Sequence, residues 1–459
     1  MRRWNSLGSL LVFSLALVAT AANAQVNVLA IGTLEGSSAG SYTDLSGLNY
    51  TLENEASANL LGGLGSGIAW ASGNTILALP DRGPNAVSFD PLIDDTVSYI
   101  NRFHTVTLDV KPNTGGGLPF TLTPTLKKTT LLYSPLPLAY GSGDGLGVGS
   151  GVPPLNTGFK NYFSGRSDNF DPSQNSGDAA NGRFDTEGIR VSNDLKRVYI
   201  SDEYGPYIYE FDRASGLRLR SFALPGHLFV ANPAPVGDDE IANNTSGRTA
   251  NKGMEGLAIT PDGKTLVGIM QTALIQDAAE GGDAANLLRI EVVDIASGRT
   301  THEFGYVLST ESGVSEIVAL NSHEFMVDER DGKGRGDDSN AKVKQIFKID
   351  LNHAVDIMNM DGTTAAQNAV SKTLFLDIVQ ALGNVGITPD QVPAKLEGLA
   401  LGPDINIGGV KTHTLLVAND NDFLQDFDGP DTNPNNFYLF GFTDADLGGS
   451  VYVPQHFTK

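Results

Sequence analysis

Four glutamates recur along the chain in similar short contexts and are its strongest candidates for chemistry. They lie in the segments TEGIRV, MEGLAI, SEIVAL and LEGLAL, as Glu187, Glu255, Glu316 and Glu397. A fifth segment, GSGIAW, carries Ser66 at the corresponding position. Sixteen residues separate Glu187 from Glu203 at the end of the next apolar run, and the MEGLAI segment repeats this spacing. One register shared by separate segments is typical of an internal repeat.

Further carboxylates follow the second apolar run of each repeat, where they are expected to meet the glutamates. Acids crowded together repel each other unless a cation offsets their charge. Carboxylate oxygens in a variable geometry are ligands that suit Ca²⁺. We therefore predict a Ca²⁺ site whose candidate ligands are Glu187, Glu203, Glu255, Glu316, Glu397, Asp81, Asp202 and Asp420.

Two of these acids, Glu187 and Glu255, are also the candidate catalytic residues, for metal or proton chemistry. The alternative is that the glutamates accept backbone N–H bonds from neighbouring repeats as structural braces. Basic residues interleaved with the acids are candidates to bind the phosphate or carboxylate of a substrate. They are Arg82, Lys252, Arg330 and Lys395. For each of them, an internal salt bridge is the alternative.

Familiar catalytic motifs do not account for the chain. A Gly-x-Ser-x-Gly motif is missing, because Leu64 rather than glycine precedes Gly65-Ser66-Gly67 in the register that the motif needs. None of the seven histidines falls inside the repeat frame. The sequence therefore does not favour a serine- or histidine-based mechanism.

Short β-strands must position these residues. Residues 184–224 form four β-prone runs separated by turns rich in Asn, Asp, Gly and Pro, the pattern of an antiparallel meander. Four-stranded sheets repeated radially make a β-propeller. The repeats begin at positions 66, 187, 255, 316 and 397, so the first interval, 121 residues, is about double the others. We therefore expect an extra unit near residues 103–133 and an all-β propeller of six blades, with seven as the alternative.

The chain ends and the longest loops fit this architecture. The β-prone stretches 26–31, 437–442 and 451–453 are expected to close the ring. Loops rich in Gly, Asn, Asp and Ser should lie on the face that carries the glutamates, because antiparallel strands bring them to one edge. The largest, residues 141–183, is interpreted either as a docked lid or as a surface loop without a role.

Residues 1–24 have the features of a cleaved export signal. Arg2 and Arg3 precede an apolar stretch, and Ala22-Asn23-Ala24 is a small-x-small cleavage site. The mature chain, residues 25–459, is expected to form one domain, periplasmic or secreted, without a membrane span and monomeric. It has no cysteine, and loss of the two arginines changes the formal charge from −22 to −24. Such an acidic surface argues against nucleic acid as a partner.

At family level the repeats resemble a known group of exported bacterial proteins, "esterase-like activity of phytase". The resemblance rests on FDTEGIRVSNDLKRVYISDEYGPYIYEFD, NKGMEGLAITPDGKTLVGIMQTAL, SEIVALNSHEFMVDERDGKG, KLEGLALGPD, LSGLNY and LPDRGPN, and covers roughly residues 40–445. It implies hydrolysis of phosphate or carboxylic esters. The similar β-propeller phytases bind Ca²⁺ at an acidic channel mouth. Gln271 stands where the family often has Glu, which removes one possible ligand.

The sequence thus predicts an exported propeller that hydrolyses phosphate or other esters of small molecules with the help of Ca²⁺. Two alternatives remain open at this point. One is a non-enzymatic binding or scaffold propeller, and the other is a lactonase-like enzyme with a single axial Ca²⁺.

Overall fold

The computed structural model describes residues 26–34, 42–84, 96–144, 148–205, 208–222, 224–309, 312–424 and 433–458. Over these residues the chain forms five four-stranded antiparallel sheets, and their first strands contact one another in a closed ring. The fold is an all-β propeller of five blades. The predicted export signal, residues 1–24, lies outside the described residues.

The first three blades each consist of four consecutive strands of one meander. The first blade contains β2 (Gly67–Trp70), β3 (Thr75–Leu79), β4 (Arg102–Pro112) and β5 (Phe120–Leu131). The second contains β8 (Thr186–Val191), β9 (Arg197–Asp202), β10 (Ile208–Asp212) and β11 (Arg218–Phe222). The third contains β12 (Met254–Ile259), β13 (Thr265–Met270), β14 (Leu287–Asp294) and β15 (Arg299–Val307). The meander predicted for residues 184–224 is confirmed as the second blade.

The last blade closes the ring with both ends of the chain. The fourth blade contains β16 (Gly313–Ala319), β17 (Glu324–Arg330), β18 (Lys344–Asp350) and β19 (Lys372–Asp377). The fifth contains β20 (Lys395–Ile407), β21 (Val410–Asp420), β22 (Asn435–Phe442) and, outermost, β1 (Asn27–Leu34). β1 pairs antiparallel with β22 from Asn27↔Gly441 to Leu34↔Asn435. Residues 451–453 form no strand, although the Val453 N–H donates to the Leu320 carbonyl at 2.8 Å.

The prediction of six blades is wrong. Residues 103–131 are not an extra unit, because they supply β4 and β5, the two outer strands of the first blade. The first repeat interval is long for another reason. Residues 132–185 form an insertion whose described part has only two short strands of its own, β6 (Tyr133–Ser134) and β7 (Asn161–Tyr162).

This insertion is packed against the propeller. Tyr162, Phe163 and Phe170 are buried, and the ring of Phe163 lies 5.3 Å from that of Phe184. The Gly165 N–H donates to the Tyr99 carbonyl at 3.0 Å. Of the two interpretations of residues 141–183, a docked segment fits the contacts of the part that the structure describes.

The hydrophobic core is divided among the blade interfaces. Each pair of neighbouring blades shares one cluster of buried aliphatic and aromatic side chains, so that five such clusters surround the channel. Helices occur only as short pieces in the connections of the described chain: α1 (Gly237–Asn243), α2 (Ile275–Ala278), α3 (Gly362–Gln367) and α4 (Ile378–Gly383). Among the described residues, no helix has the length and apolar character needed to cross a membrane.

Candidate functional site at the acidic mouth of the channel

Irregular strand pairing at the repeated glutamates brings three of them together. The register between first and second strands shifts at Glu187 in β8, at Glu255 in β12 and at Glu397 in β20. A β-bulge leaves one residue without a ladder partner and re-aims its side chain. The three carboxylates therefore lie at the same end of the channel, which we call the acidic mouth.

Glu316 does not share this position. In β16 the register shifts at Ser315 instead, so Ser315 is the equivalent of the three glutamates and Glu316 follows it. A shift of one residue turns a strand side chain toward the opposite side. Glu316 is fully buried, accepts the N–H groups of Leu257 and Ile317 at 2.9 and 3.0 Å, and pairs with Arg190 at 2.9 Å. It is a brace between blades.

The first carboxylate cluster of the acidic mouth belongs to the second blade. One oxygen from each of Asp185, Glu187 and Glu203 lies within 4.8 Å of the others, and all three residues are buried. Arg82 is the nearest cation, with its Nη1 at 2.5 Å from Asp185 and 3.8 Å from Glu203. The same Nη1 donates to the side chain of Asn251. One guanidinium thus contacts two of the three carboxylates.

Burial favours the neutral form of two acids in this cluster, Glu187 and Glu203. Burial raises the pKa of Glu187 well above its usual range, and the charges of Glu255, Asp185 and Glu203 add to the effect. Burial and the charge of Asp185 likewise raise the pKa of Glu203, against the influence of Arg82. A cation bound among these oxygens would remove the repulsion.

Glu255 connects this cluster to the next blades. Burial and the charges of Glu203 and Glu397 raise its pKa well above the usual range. Among the described residues, nothing forms a hydrogen bond with its Oε2, although this atom is buried. Leaving a polar atom buried without a partner is costly, so the oxygen is available to a ligand or a proton.

A second carboxylate cluster lies on the other side of the mouth. Oxygens of Asp81, Asp420 and Asp422 lie within 4.8 Å of one another. Lys395 contacts Asp420 at 3.3 Å and also pairs with Asp422. Burial raises the pKa of Asp420 to about 7, although Lys395 opposes the shift.

The remaining candidates divide between the mouth and the framework. The Arg330 Nε donates to Ser315 at 2.7 Å, and its Nη2 pairs with Glu397. The Lys252 Nζ donates to the Gln271 amide oxygen at 3.0 Å. Asp202 instead accepts backbone N–H bonds from Asp185 and Tyr204, both at 3.1 Å, and so braces the strand ends.

Cavities lie at both ends of the channel. One of about 320 Å³ adjoins the mouth and is lined by Lys252, Ser315 and Arg330. A cavity of about 400 Å³ at the opposite end is mainly apolar and contains Trp70 and the C-terminal segment around Gln455. The smaller cavity has two of the candidate basic residues, Lys252 and Arg330, in its wall, so this end of the channel is the candidate site.

The donor set at the mouth fits a hard cation. Eight carboxylates converge there, Asp81, Asp185, Glu187, Glu203, Glu255, Glu397, Asp420 and Asp422, and the four basic residues leave a formal excess of four negative charges. All of these ligands are oxygens, which Ca²⁺ prefers in a coordination of six to eight. Sequence analysis missed Asp185 and Asp422, which lie two residues before Glu187 and two after Asp420.

Fold and site together define a β-propeller whose channel mouth carries clustered carboxylates and basic side chains. The family model described as "Phytase-like: Esterase-like activity of phytase" matches residues 59–423. The chain belongs to this family.

Individual relatives are more distant. An uncharacterized secreted protein of the fungus Arthroderma benhamiae is 32% identical over 188 residues, which cover 34% of this chain and 36% of the fungal protein. The chain therefore spans about a third of that relative. Two solved structures, Kuenenia stuttgartiensis hydrazine synthase and a luciferin-regenerating enzyme, each show 12% identity. They match 84% and 87% of this chain, and 80% and 97% of their own, with TM-scores of 0.30 and 0.31. We draw no functional argument from these scores.

Proposed function

We propose that the protein is an exported hydrolase of phosphate or other esters that acts at the acidic mouth with the help of Ca²⁺. The observation that carries the proposal is the cluster of Asp185, Glu187 and Glu203, three buried carboxylates of which two contact Arg82. Family membership supports hydrolysis. The signal-like residues 1–24 and the secreted fungal relative support export.

Asp185, Glu187 and Glu203 would hold the cation, and Asp81, Asp420 and Asp422 offer a second set of ligands. When bound, Ca²⁺ would supply Lewis acidity and offset the negative charge of the ester. The chain's own cations assist in this task. Lys252 and Arg330 line the adjoining cavity, where they would orient the anionic part of a substrate.

Glu255 is the best candidate to move the proton. Its Oε2 has no hydrogen-bond partner among the described residues, and its raised pKa lies on the side that general acid–base catalysis requires. It lies between the first carboxylate cluster and Glu397, at the edge of the site rather than outside it. Its role would be to accept a proton from the attacking water and return it to the leaving group.

Two variants test this division of roles. Glu255→Gln should lower kcat by about 10²–10⁴ while Ca²⁺ still stabilises the protein. Glu187→Gln should lower activity and also weaken the stabilisation by Ca²⁺. The assay is hydrolysis of a panel of phosphomonoesters and carboxylic esters, with Ca²⁺ or a chelator. Asp109→Asn, on the exposed part of β4, is the matched control and should retain full activity. Unchanged turnover in both glutamate variants would refute the mechanism.

A second candidate is a binding propeller without catalysis. The ion pairs of Arg82, Arg330 and Lys395 with mouth acids favour it, because paired cations are less available to a substrate. Such a protein would hydrolyse no ester in the panel, and its glutamine variants would differ from the parent only in stability and Ca²⁺ binding.

A further inference from the structure

A second group of potential metal ligands lies on the outer strands of the third blade, away from the acidic mouth. Glu291 on β14 and Glu303 on β15 are cross-strand partners. His227 approaches them from a short 3₁₀ helix, Gly226–Leu228, in the connection between the second and third blades. One imidazole nitrogen and one oxygen from each glutamate lie within 4.8 Å of one another.

The two glutamates are unequally satisfied. Both are fully buried. Glu303 receives a hydrogen bond from the His227 Nε2 at 2.8 Å and pairs with Arg289. No N–H or O–H donor among the described residues reaches either oxygen of Glu291, and its carboxyl group meets that of Glu303 instead. Two buried carboxyl groups side by side repel each other unless a proton or a cation lies between them.

The neighbouring charges do not supply that cation. Arg289 is already held by Asp277 through contacts of 2.7 and 2.9 Å and by Glu303. Asp356 adds a further acid, since its Oδ1 accepts the Glu303 N–H at 3.4 Å. Four acids therefore surround one arginine and one histidine.

We infer that His227, Glu291 and Glu303 form a Zn²⁺ site. One imidazole and two carboxylates are ligand types that Zn²⁺ binds at about 2.0–2.2 Å, with water in a fourth position. The mixed nitrogen and oxygen donors distinguish this site from the all-oxygen mouth, which suits Ca²⁺. The metal replaces the His227–Glu303 hydrogen bond and gives Glu291 its missing partner.

The position of the site indicates what it does. The glutamates are sealed in the blade, whereas the His227 side chain is 31% exposed and offers the route of entry. Zn²⁺ therefore fastens the connection between the second and third blades, residues 224–253, to the edge of the third blade. The same connection carries Lys252 to the cavity beside the mouth. The site is structural and does not depend on the proposed hydrolysis.

The test is a calorimetric titration of Zn²⁺ into chelator-stripped protein in saturating Ca²⁺. The parent should bind Zn²⁺ and melt at a higher temperature with it. His227→Ala and Glu291→Gln should each weaken the tightest Zn²⁺ equivalent by about 100-fold or more, since they remove direct ligands. Glu291→Gln keeps the size of the side chain and can donate to Glu303, which favours retention of the fold.

Two controls make the outcome decisive. His302→Ala removes an exposed histidine from the same strand, β15, and should leave Zn²⁺ affinity unchanged. Glu187→Gln alters the acidic mouth and should also leave it unchanged. The inference is overturned if the parent binds no Zn²⁺, if His227→Ala binds it as tightly as the parent, or if His302→Ala loses as much affinity.

Discussion

The acidic mouth and the interior of the channel are built from the same first strands, yet they differ in the partners that surround their carboxylates. At the mouth, burial and then the charges of neighbouring acids raise the pKa of Glu187 and of Glu255. Inside the channel, Glu316 meets Arg190 and two backbone N–H groups. A single strand, β8, supplies both Glu187 and Arg190, three residues apart.

The contrast is between a charged group that is held by partners within the protein and one that is available to a ligand. Arg190 reaches across the channel and donates to the carbonyls of Ile68 and Ile317 at 2.7 and 2.8 Å, in addition to its pair with Glu316. Its N–H groups therefore join three blades through hydrogen bonds. Among the described residues, no such set of donors surrounds Glu255, whose buried Oε2 lacks a hydrogen-bond partner, and this is the physical basis for expecting a ligand there.

The largest effect is expected at the brace. Arg190→Met should lower the free energy of unfolding by about 3–5 kcal/mol, because it leaves Glu316 and two carbonyls buried without their partner. Urea unfolding at pH 8 measures this loss. Arg197→Met, which removes an arginine 47% exposed from its pair with Glu210, should cost less than about 1 kcal/mol. Equal losses in the two variants would erase the distinction between the brace and a surface ion pair.

At the mouth, removal of charge should act in the opposite direction. Glu187→Gln should raise the free energy of unfolding of the Ca²⁺-free protein by about 1 kcal/mol, because one of several repelling acids is gone. The parent should gain about 2.7 kcal/mol at a Ca²⁺ concentration 100 times its Kd, and the variant should lose most of this gain. Thermal unfolding with Ca²⁺ and with a chelator measures both quantities. A destabilised, Ca²⁺-responsive variant would make Glu187 a brace like Glu316.

Sequence reasoning succeeded where the pattern is local. Strand alternation, turn residues and the recurring glutamate gave the propeller, the second blade and the closing strands β1 and β22. The predicted number of blades was wrong because spacing alone does not distinguish an unrecognised blade from an insertion. Residues 132–144 and 148–185 fold against the blades with only two short strands, and the length of the interval does not reveal this.

The candidate site divides along the same line. Six of the eight carboxylates predicted as metal ligands lie at the mouth, because antiparallel strands bring the start of the first strand and the end of the second strand to the same edge. Glu316 fell outside because a β-bulge lies at Ser315, and neighbouring Ser and Glu residues give no sign of which one is bulged. Asp185 was not predicted as a ligand because it precedes the repeated segment. Only the fold brings it within 2.5 Å of Arg82.

Stability should also depend on pH. Burial raises the pKa of Asp420 from 3.8 to about 7 and that of Glu316 from 4.5 to about 7. The native state then binds more protons than the unfolded state between these values. Stability should therefore fall as pH rises from about 4 to 7, by at most about 1.4 kcal/mol per pH unit for each group.

Ca²⁺ should change this slope at the mouth alone. A cation beside Asp420 favours its charged form and lowers its pKa, so that this part of the slope disappears. The part of the slope due to Glu316 should persist, because this carboxylate is already paired with Arg190. Free energies of unfolding at pH 5, 6, 7 and 8, with Ca²⁺ or a chelator, separate the two contributions. Asp420→Asn in chelator should remove only the part of the slope due to Asp420, whereas Ca²⁺ should also remove the parts due to Glu187 and Glu203. If Ca²⁺ leaves the slope of the parent unchanged, the mouth binds no cation at Asp420, and its acids are balanced by protons and by Lys395 instead.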